Sequence, residues 1–335
     1  MVQRDLDSLV AGFVAWLAGR RSAEVTVDGV ERPTDGWSSE TVLVRARIDG
    51  HAEGFAVRLA PAGDGIFPTY DLSLQGRAQH LARERGVPTP LPAEVIKGVL
   101  DDPFLIMPLV DGHVPGEMPA FDPWIGTLSL HRQATVYEGV VDALVALHGH
   151  EPPSETELPH RTISDELTWW NDYLAWSADG DEPISVLTRA LAWCAEHRPP
   201  TEPPAGMLWG DVRLGNVVFT DDGAIAAVLD WEMATVGAPE HDLAWWWALE
   251  AMQDDLAGGR GAGFPPIAAL QARYEAGSGR PLQDLAWFDT FALLRSASIL
   301  TRIGRLQQRA GVRLRMPLDD NPVLDHLARR IVVTT

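Results

Sequence analysis

The stretch Trp209-Gly210-Asp211-Val212-Arg213-Leu214-Gly215-Asn216 decides the reading of this chain. It continues into Val217-Val218-Phe219, turns at Asp221-Asp222-Gly223, and returns through Ala224 to Leu229 to close on Asp230-Trp231-Glu232. Two short apolar runs around an Asp-Asp-Gly turn predict a β-hairpin. It places Asp211 and Asn216 on the loop before it and Asp230 at its end. Magnesium takes a few hard oxygen ligands from protein and shares the rest of its octahedron with phosphates and water. A further carboxylate can then orient and deprotonate an attacking hydroxyl. Taken singly, Asp211 could cap the turn, Asn216 bond loop amides and Asp230 end a strand. Their order on one hairpin favours the metal–phosphate reading.

Composition narrows the setting. At 335 residues the chain exceeds the size at which one hydrophobic core stops growing, so two lobes are expected. The formal charge of −20 repels phosphate backbones and anionic lipid, which argues against nucleic acid or a membrane as partner. Cys194 is the sole cysteine, excluding an intrachain disulfide and a thiolate metal cluster. Lys97 is the sole lysine, so no Gly-Lys-Ser/Thr phosphate loop exists, and in its strand-end context Lys97 reads as a solvated charge. No Gly-x-Ser-x-Gly elbow of a serine hydrolase is present either. Leu6, Leu9, Val10, Phe13, Val14 and Leu17 fall at helical spacing, predicting an amphipathic surface helix rather than a signal peptide. A cytoplasmic protein is the expectation.

Outward from the hairpin, the N-terminal third reads as helix, three strands, helix, two strands. The strands are Ala23 to Val27, Thr41 to Ile48, Phe55 to Leu59, Ala93 to Leu100 and Phe104 to Val110, with a helix from Leu72 to Ala82. Beyond Val114 helical periodicity dominates, and the hairpin is the only clear β signal. The expected fold class is therefore α+β: a small antiparallel sheet carrying one main helix, then a mostly helical half. Gly258-Gly259-Arg260-Gly261-Ala262-Gly263 reads as a flexible loop suited to a lid.

This combination resembles the aminoglycoside phosphotransferase/choline kinase family, which has the protein-kinase-like two-lobe fold. The likeness covers nearly the whole chain and is strongest from Trp209 to Trp246. Asp230-Trp231-Glu232 and Gly237-Ala238-Pro239 look most like the branch associated with acyl-CoA dehydrogenases. The resemblance implies a nucleotide-binding lobe at 1–107, a hinge at 108–113 and a catalytic and substrate-binding lobe at 114–335. It implies transfer of the γ-phosphate of ATP or GTP to the hydroxyl of a small molecule, with Asp211 as base and Mg²⁺ held by Asn216 and Asp230. Ser38 and Ser39, in Gly36-Trp37-Ser38-Ser39, match a loop that covers phosphates. Arg58 stands at the usual phosphate-binding lysine, and Met107 or Leu109 would meet the base, because Pro108 lacks an N–H. Asp242 would brace the catalytic loop, and His148 would cap a helix.

Three positions depart from the family pattern. Trp209 replaces a loop-holding histidine, Arg58 replaces lysine, and Gln75 stands where a glutamate should pair with that cation, so Arg58 is expected to be loosely held. A non-catalytic nucleotide- or metabolite-binding relative is the alternative they leave open. Trp245, Trp246 and Trp247 diverge by about 100° per residue on a helix, so at least one is expected at a cleft, a lobe contact or the surface of a homodimer. With Trp169, Trp170 and Trp176 they suggest a partly apolar pocket, suited to a lipid-like, acyl or macrocyclic alcohol. Asp165, Glu166 and Asp172 keep a cationic acceptor open.

Overall fold

The computed structural model describes residues 4–33 and 38–333. Gly36 and Trp37 of the expected phosphate loop lie outside them. The chain opens with α1 (Leu6–Arg21), whose first turn is closed by Asp5 accepting a hydrogen bond from Ser8 N at 2.9 Å. Strands β1 (Val25–Glu31), β2 (Glu40–Ile48) and β3 (His51–Leu59) follow, then α2 (Leu72–Glu84), β4 (Glu94–Ile96) and β5 (Phe104–Pro108). They form one antiparallel sheet in the order β1-β2-β3-β5-β4.

β3 begins four residues earlier than the sequence suggests. Asp49 and Gly50 both take positive φ, 49° and 82°, and make the two-residue hairpin turn that matches strand twist. That turn pairs Ile48 with His51 and extends the ladder through polar residues with no strand signature of their own. β4 is shorter than expected, because Gly98 takes a left-handed φ of 72° just beyond it. The apolar stripe of α1 does lie on the sheet. Leu9, Phe13 and Leu17 are buried against Val42, Val44, Val57 and Phe104, and Phe13 meets Phe55 edge-on at 5.7 Å.

The second half holds α3 (Pro123–Thr127), α4 (Leu130–His148), α5 (Ile163–Ala178), α6 (Ser185–Glu196), β6 (Gly206–Leu208), β7 (Val217–Phe219), β8 (Ile225–Val228) and β9 (Thr235–Gly237). It closes with α7 (Glu240–Ala257), α8 (Ile267–Ser278), α9 (Leu285–Arg309) and α10 (Pro322–Val333). β7 and β8 form the expected hairpin. β6 and β9 pair as a second ribbon, unforeseen because three residues carry no readable alternation. This ribbon holds the two ends of the segment that carries Asp211 and Asp230, Leu208 opposite Thr235. No helix among the described residues is long and apolar enough to cross a membrane.

Trp245, Trp246 and Trp247 are all buried, because residues 240–248 of α7 lie almost wholly inside the core, while Asp255 and Leu256 at its end are exposed. Trp245 still takes the expected cleft position, its Nε1 reaching Asp211. One expectation fails for a physical reason: the Gly258 to Gly263 loop is tied down rather than free to act as a lid. Arg260 donates to Pro265 O, Glu250 and Asp254, and stacks on Tyr137 and Phe264. The two halves are stitched by backbone acceptors of the 65–66 segment. Gly65 O accepts from Arg302 Nε at 3.1 Å, and Ile66 O from the Tyr173 hydroxyl at 2.8 Å. His113 and Phe219 exchange two backbone bonds of 2.8 Å at the crossing.

Because Phe13 is the fully buried pin between α1 and the sheet, Phe13→Ala should cost about 3–5 kcal/mol. A lower urea midpoint with an unchanged slope is the expected result; a shift below about 1 kcal/mol would show that α1 does not anchor the sheet.

Candidate active site

The catalytic segment leaves β6 at Trp209 and Gly210. Gly210 has φ 93°, and a Cβ there would stand 2.4 Å from Met233 O, so only glycine fits this approach to the following loop. Two adjacent amides are thereby turned toward α7. Asp242 accepts both: Trp209 N to Oδ2 and Gly210 N to Oδ1, each 2.8 Å. Asp242 also takes His148 Nε2 at 3.1 Å, and His148 Nδ1 meets the Tyr274 hydroxyl at 2.9 Å. His148 is thus a buried link between Tyr274 and Asp242 and not a helix cap; α4 is terminated by Gly149.

Asp211 receives donors on both carboxylate oxygens. Trp245 Nε1 reaches Oδ1 at 3.0 Å, and Asn216 Nδ2 reaches Oδ2 at 2.7 Å. Arg213 Nε adds a longer bond to Oδ2 at 3.3 Å, and its other end pairs with Glu117. Asn216 also donates to Asp211 O at 3.0 Å, which leaves its Oδ1 for another partner. Burial first, and the nearby Asp230 charge, push the Asp211 carboxyl above the ordinary carboxylate range, while Arg213 and Asn216 pull it back. Trp245 is legible in the sequence only as one of three adjacent tryptophans, at least one of them expected at a cleft, a lobe contact or a dimer surface; its indole N–H reaches the loop from α7.

Asp230 closes the other side. It has φ 58°, a left-handed conformation uncommon outside glycine that turns the chain sharply at the end of the hairpin. Trp209 Nε1 donates to Leu229 O at 2.8 Å and Asp230 O at 3.0 Å, so its single N–H ties the two halves of the segment together as a histidine would. Arg58 contacts Asp230 Oδ1 at 3.1 Å from both terminal nitrogens, and Glu232 at 3.6 Å. The expectation that Arg58 is loosely held is overturned. Its partners come from the end of the hairpin, Asp230 and Glu232, rather than from α2, where the Gln75 amide finds no partner among the described residues.

Ser39 Oγ donates to Glu232 Oε2 at 3.2 Å, which brings the edge of the phosphate loop against the same network; Ser38 is buried beside it. Burial and Asp230 hold the Glu232 carboxyl well above its usual range. At the hinge, Met107 is buried within β5, and Leu109 N already donates to Gly54 O at 2.9 Å. That Leu109 donor is committed to the sheet, because the β3–β5 ladder continues one pair past Pro108. Asp211 and Asn216 therefore form one cluster, and Arg58, Asp230, Glu232 and Ser39 a second, the two joined by the Leu229 N to Asn216 O bond of 2.8 Å and by the Trp209 bridge, while Met107 and Leu109 stand apart on β5 and its end.

Asp230 and Asn216 offer two hard oxygens, too few for a metal held by protein alone. They fit an ion that completes its shell with phosphate and water. Beneath the loop, burial pushes the His241 imidazole down to about 4, opposed mainly by Glu166. It packs edge-on to Phe288 at 4.8 Å. A base with a depressed folded pKa contributes stability that is present above its unfolded pKa of 6.5 and lost as pH falls through about 4. His241→Gln should flatten denaturation free energies across that window; equal slopes in both proteins would show that His241 is not the group responsible.

Comparison with known proteins bears on the family and the fold. The model of the phosphotransferase enzyme family matches residues 29–281. Acyl-CoA dehydrogenase family member 11 from Homo sapiens is 25% identical over 201 residues, covering 57% of this chain and 24% of that protein. The Rattus norvegicus counterpart is 24% identical over 257 residues, covering 72% and 30%. The chain thus spans roughly a quarter to a third of the curated relatives it matches. Among solved structures, a macrolide 2'-phosphotransferase from Brachybacterium faecium superposes with TM-score 0.55 at 20% identity, covering 97% of this chain and 98% of that one. The GDP complex of aminoglycoside 2'-phosphotransferase-IIIa superposes with TM-score 0.59 at 13% identity, covering 97% and 99%. These likenesses show the protein-kinase-like fold, and the family match over most of its length shows that the chain belongs to the phosphotransferase enzyme family.

Proposed function

We propose that the protein moves the γ-phosphoryl group of ATP or GTP to a hydroxyl of a small molecule, using Asp211 as base and Mg²⁺ held by Asn216 and Asp230. The observation that carries this is the Asp211 carboxylate. It is oriented through both oxygens by Trp245 and Asn216, and the 2.8 Å bond from Leu229 N to Asn216 O ties this loop to the strand end where Arg58 meets Asp230. The nucleotide belongs between 1–107 and 114–335, with 108–113 as the hinge. The GDP complex of a structural neighbour supports a nucleotide in this fold. Bound magnesium would supply charge neutralisation between the phosphates.

The chain's own residues do the rest. Arg58, whose two terminal nitrogens both meet Asp230, would share this charge with phosphate oxygens brought against the same carboxylate. Asp211 accepts the acceptor's hydroxyl proton, and its raised pKa brings it closer to a working base. Positioning two reactants supplies roughly 7–11 kcal/mol, and a placed base about 10²–10⁴-fold. The tight Trp209 and Arg58 contacts remove much of the case for a non-catalytic relative, which rested on those departures.

Asp211→Asn should keep the thermal shift produced by magnesium with nucleotide while lowering phosphoryl transfer about 10²–10⁴-fold across a panel of alcohols. Full turnover by this variant would remove Asp211 from the mechanism. Trp245→Phe keeps the ring and deletes one donor to a carboxylate. The Asp211 pKa should then rise, so the acid limb of kcat should move up by about one pH unit while nucleotide affinity holds. An unmoved limb would reduce Trp245 to packing.

A further inference from the structure

Behind the catalytic segment lies a cavity of about 150 Å³, roughly ten times the space a single buried water needs. Gln75, Trp169, Trp170, Glu232, His241 and Arg295 are among its walls, and Gly210 borders it one residue from Asp211. Its charged groups are already engaged. Glu166 accepts from Arg161 at 3.3 Å and from Trp170 Nε1 at 3.1 Å; Glu232 faces Arg58 and Ser39; Asp242 holds the two loop amides. Arg295 reaches Gly210 O at 3.4 Å and lies between the rings of Trp170 and Trp245, 5.4 and 4.8 Å from their centres.

The unspent groups differ in kind. Gln75 is 1% exposed, yet neither Nε2 nor Oε1 has a partner among the described residues, and the same holds for His241 Nε2 and Arg295 Nε. A buried amide with both ends unsatisfied is costly unless something else satisfies it. The remaining valences are an amide donor, an amide acceptor, a neutral imidazole nitrogen and one guanidinium N–H. An anion entering here would face Asp71, Glu166, Glu232 and Asp242 against Arg161 and Arg295. An ammonium would bring only donors to a wall whose free groups include two donors. The aromatic sides, Trp169 above all, suit an apolar body.

We propose that this cavity recognises the phosphate acceptor, and that the group it takes is uncharged and pairs one donor with one acceptor, an amide or a vicinal diol on an apolar body. The assignment rests on Asp211 being the phosphoryl-transfer base, since Gly210 places the cavity beside it. Gln75 is the specificity determinant: it reads both ends of the head group, and it is free to do so because Arg58 is paired elsewhere.

The test uses the full chain and four probes sharing one ring, N-benzylacetamide, 3-phenylpropane-1,2-diol, phenylacetate and benzylammonium, titrated by NMR. The two neutral probes should bind at least about tenfold more tightly than the charged pair. Gln75→Leu should erase that gap and also raise the melting temperature of the free protein by about 2–4 °C, because an unsatisfied buried amide is replaced by a methyl-bearing chain of similar size. A purely structural glutamine would lose stability instead. Charged probes binding as well as neutral ones, or an unchanged gap in Gln75→Leu, overturns the proposal. Should that variant fail to fold, Trp169→Ala on the half-exposed wall replaces it: all four affinities should fall together, and no change would exclude the cavity as the binding place. Thermal shift with magnesium and nucleotide on the same samples separates the two readings. A nucleotide shift without head-group preference overturns the pocket alone, and preference without a nucleotide shift overturns its role in phosphoryl transfer.

Discussion

The site depends on one buried carboxylate, that of Asp242. It is almost wholly removed from solvent, and its charge is satisfied by two adjacent backbone amides and an imidazole. Hydrogen bonds to an ionised acceptor in such surroundings are about twice as strong as neutral ones. Each also fixes geometry: the Trp209 and Gly210 amides cannot both point at α7 unless the chain turns through the left-handed Gly210. That turn delivers Asp211 to its place. His148 and Tyr274 carry the same constraint to α4 and α8, so the loop is referenced to three helices at once.

A second network spans the halves of the molecule. Arg58 on β3 meets Asp230 and Glu232 at the far end of the hairpin, and Ser39 joins Glu232 from the start of β2. Pairing within one half would hold that half only. Pairing across the crossing couples the position of the sheet to the position of the hairpin. Burial first, and then the neighbouring Asp230 charge that Arg58 only partly offsets, account for the upward shift of Glu232. Gln75, free of this network, turns a position expected to be a deficient ion-pair partner into an unspent polar group inside a cavity.

Much of the fold was legible because its elements are long and periodic. The apolar stripe of α1, the hairpin around Asp221-Asp222-Gly223 and the helices beyond Val114 all carry their signals locally. The three-residue strands β6 and β9 do not, since their pairing exists only once the catalytic segment folds back. Among site residues, Asp211, Asn216 and Asp230 could be named because polar residues at fixed spacing on a hairpin are an unusual pattern. Arg295 could not, and Trp245 only as one of three: which tryptophan of Trp245-Trp246-Trp247 meets the loop, and whether an arginine within a long helix lies inside, is decided only when the helices are packed.

The amino-acid sequence by itself determined which chemistry was within reach. Three oxygen-bearing side chains sit on one hairpin, a lone Lys97 rules out lysine-based phosphate binding, and a single cysteine rules out sulfur ligands, because each follows from side-chain type and local spacing. Tertiary structure decided how those groups are held. Whether Arg58 finds Gln75 or Asp230, whether Trp209 merely packs or ties two loops, and whether Asp211 is oriented by Trp245 all depend on residues 20 to 172 positions apart meeting in three dimensions. Hydrogen bonds are short-ranged and directional, so no pattern along the chain can report them before the lobes close on one another.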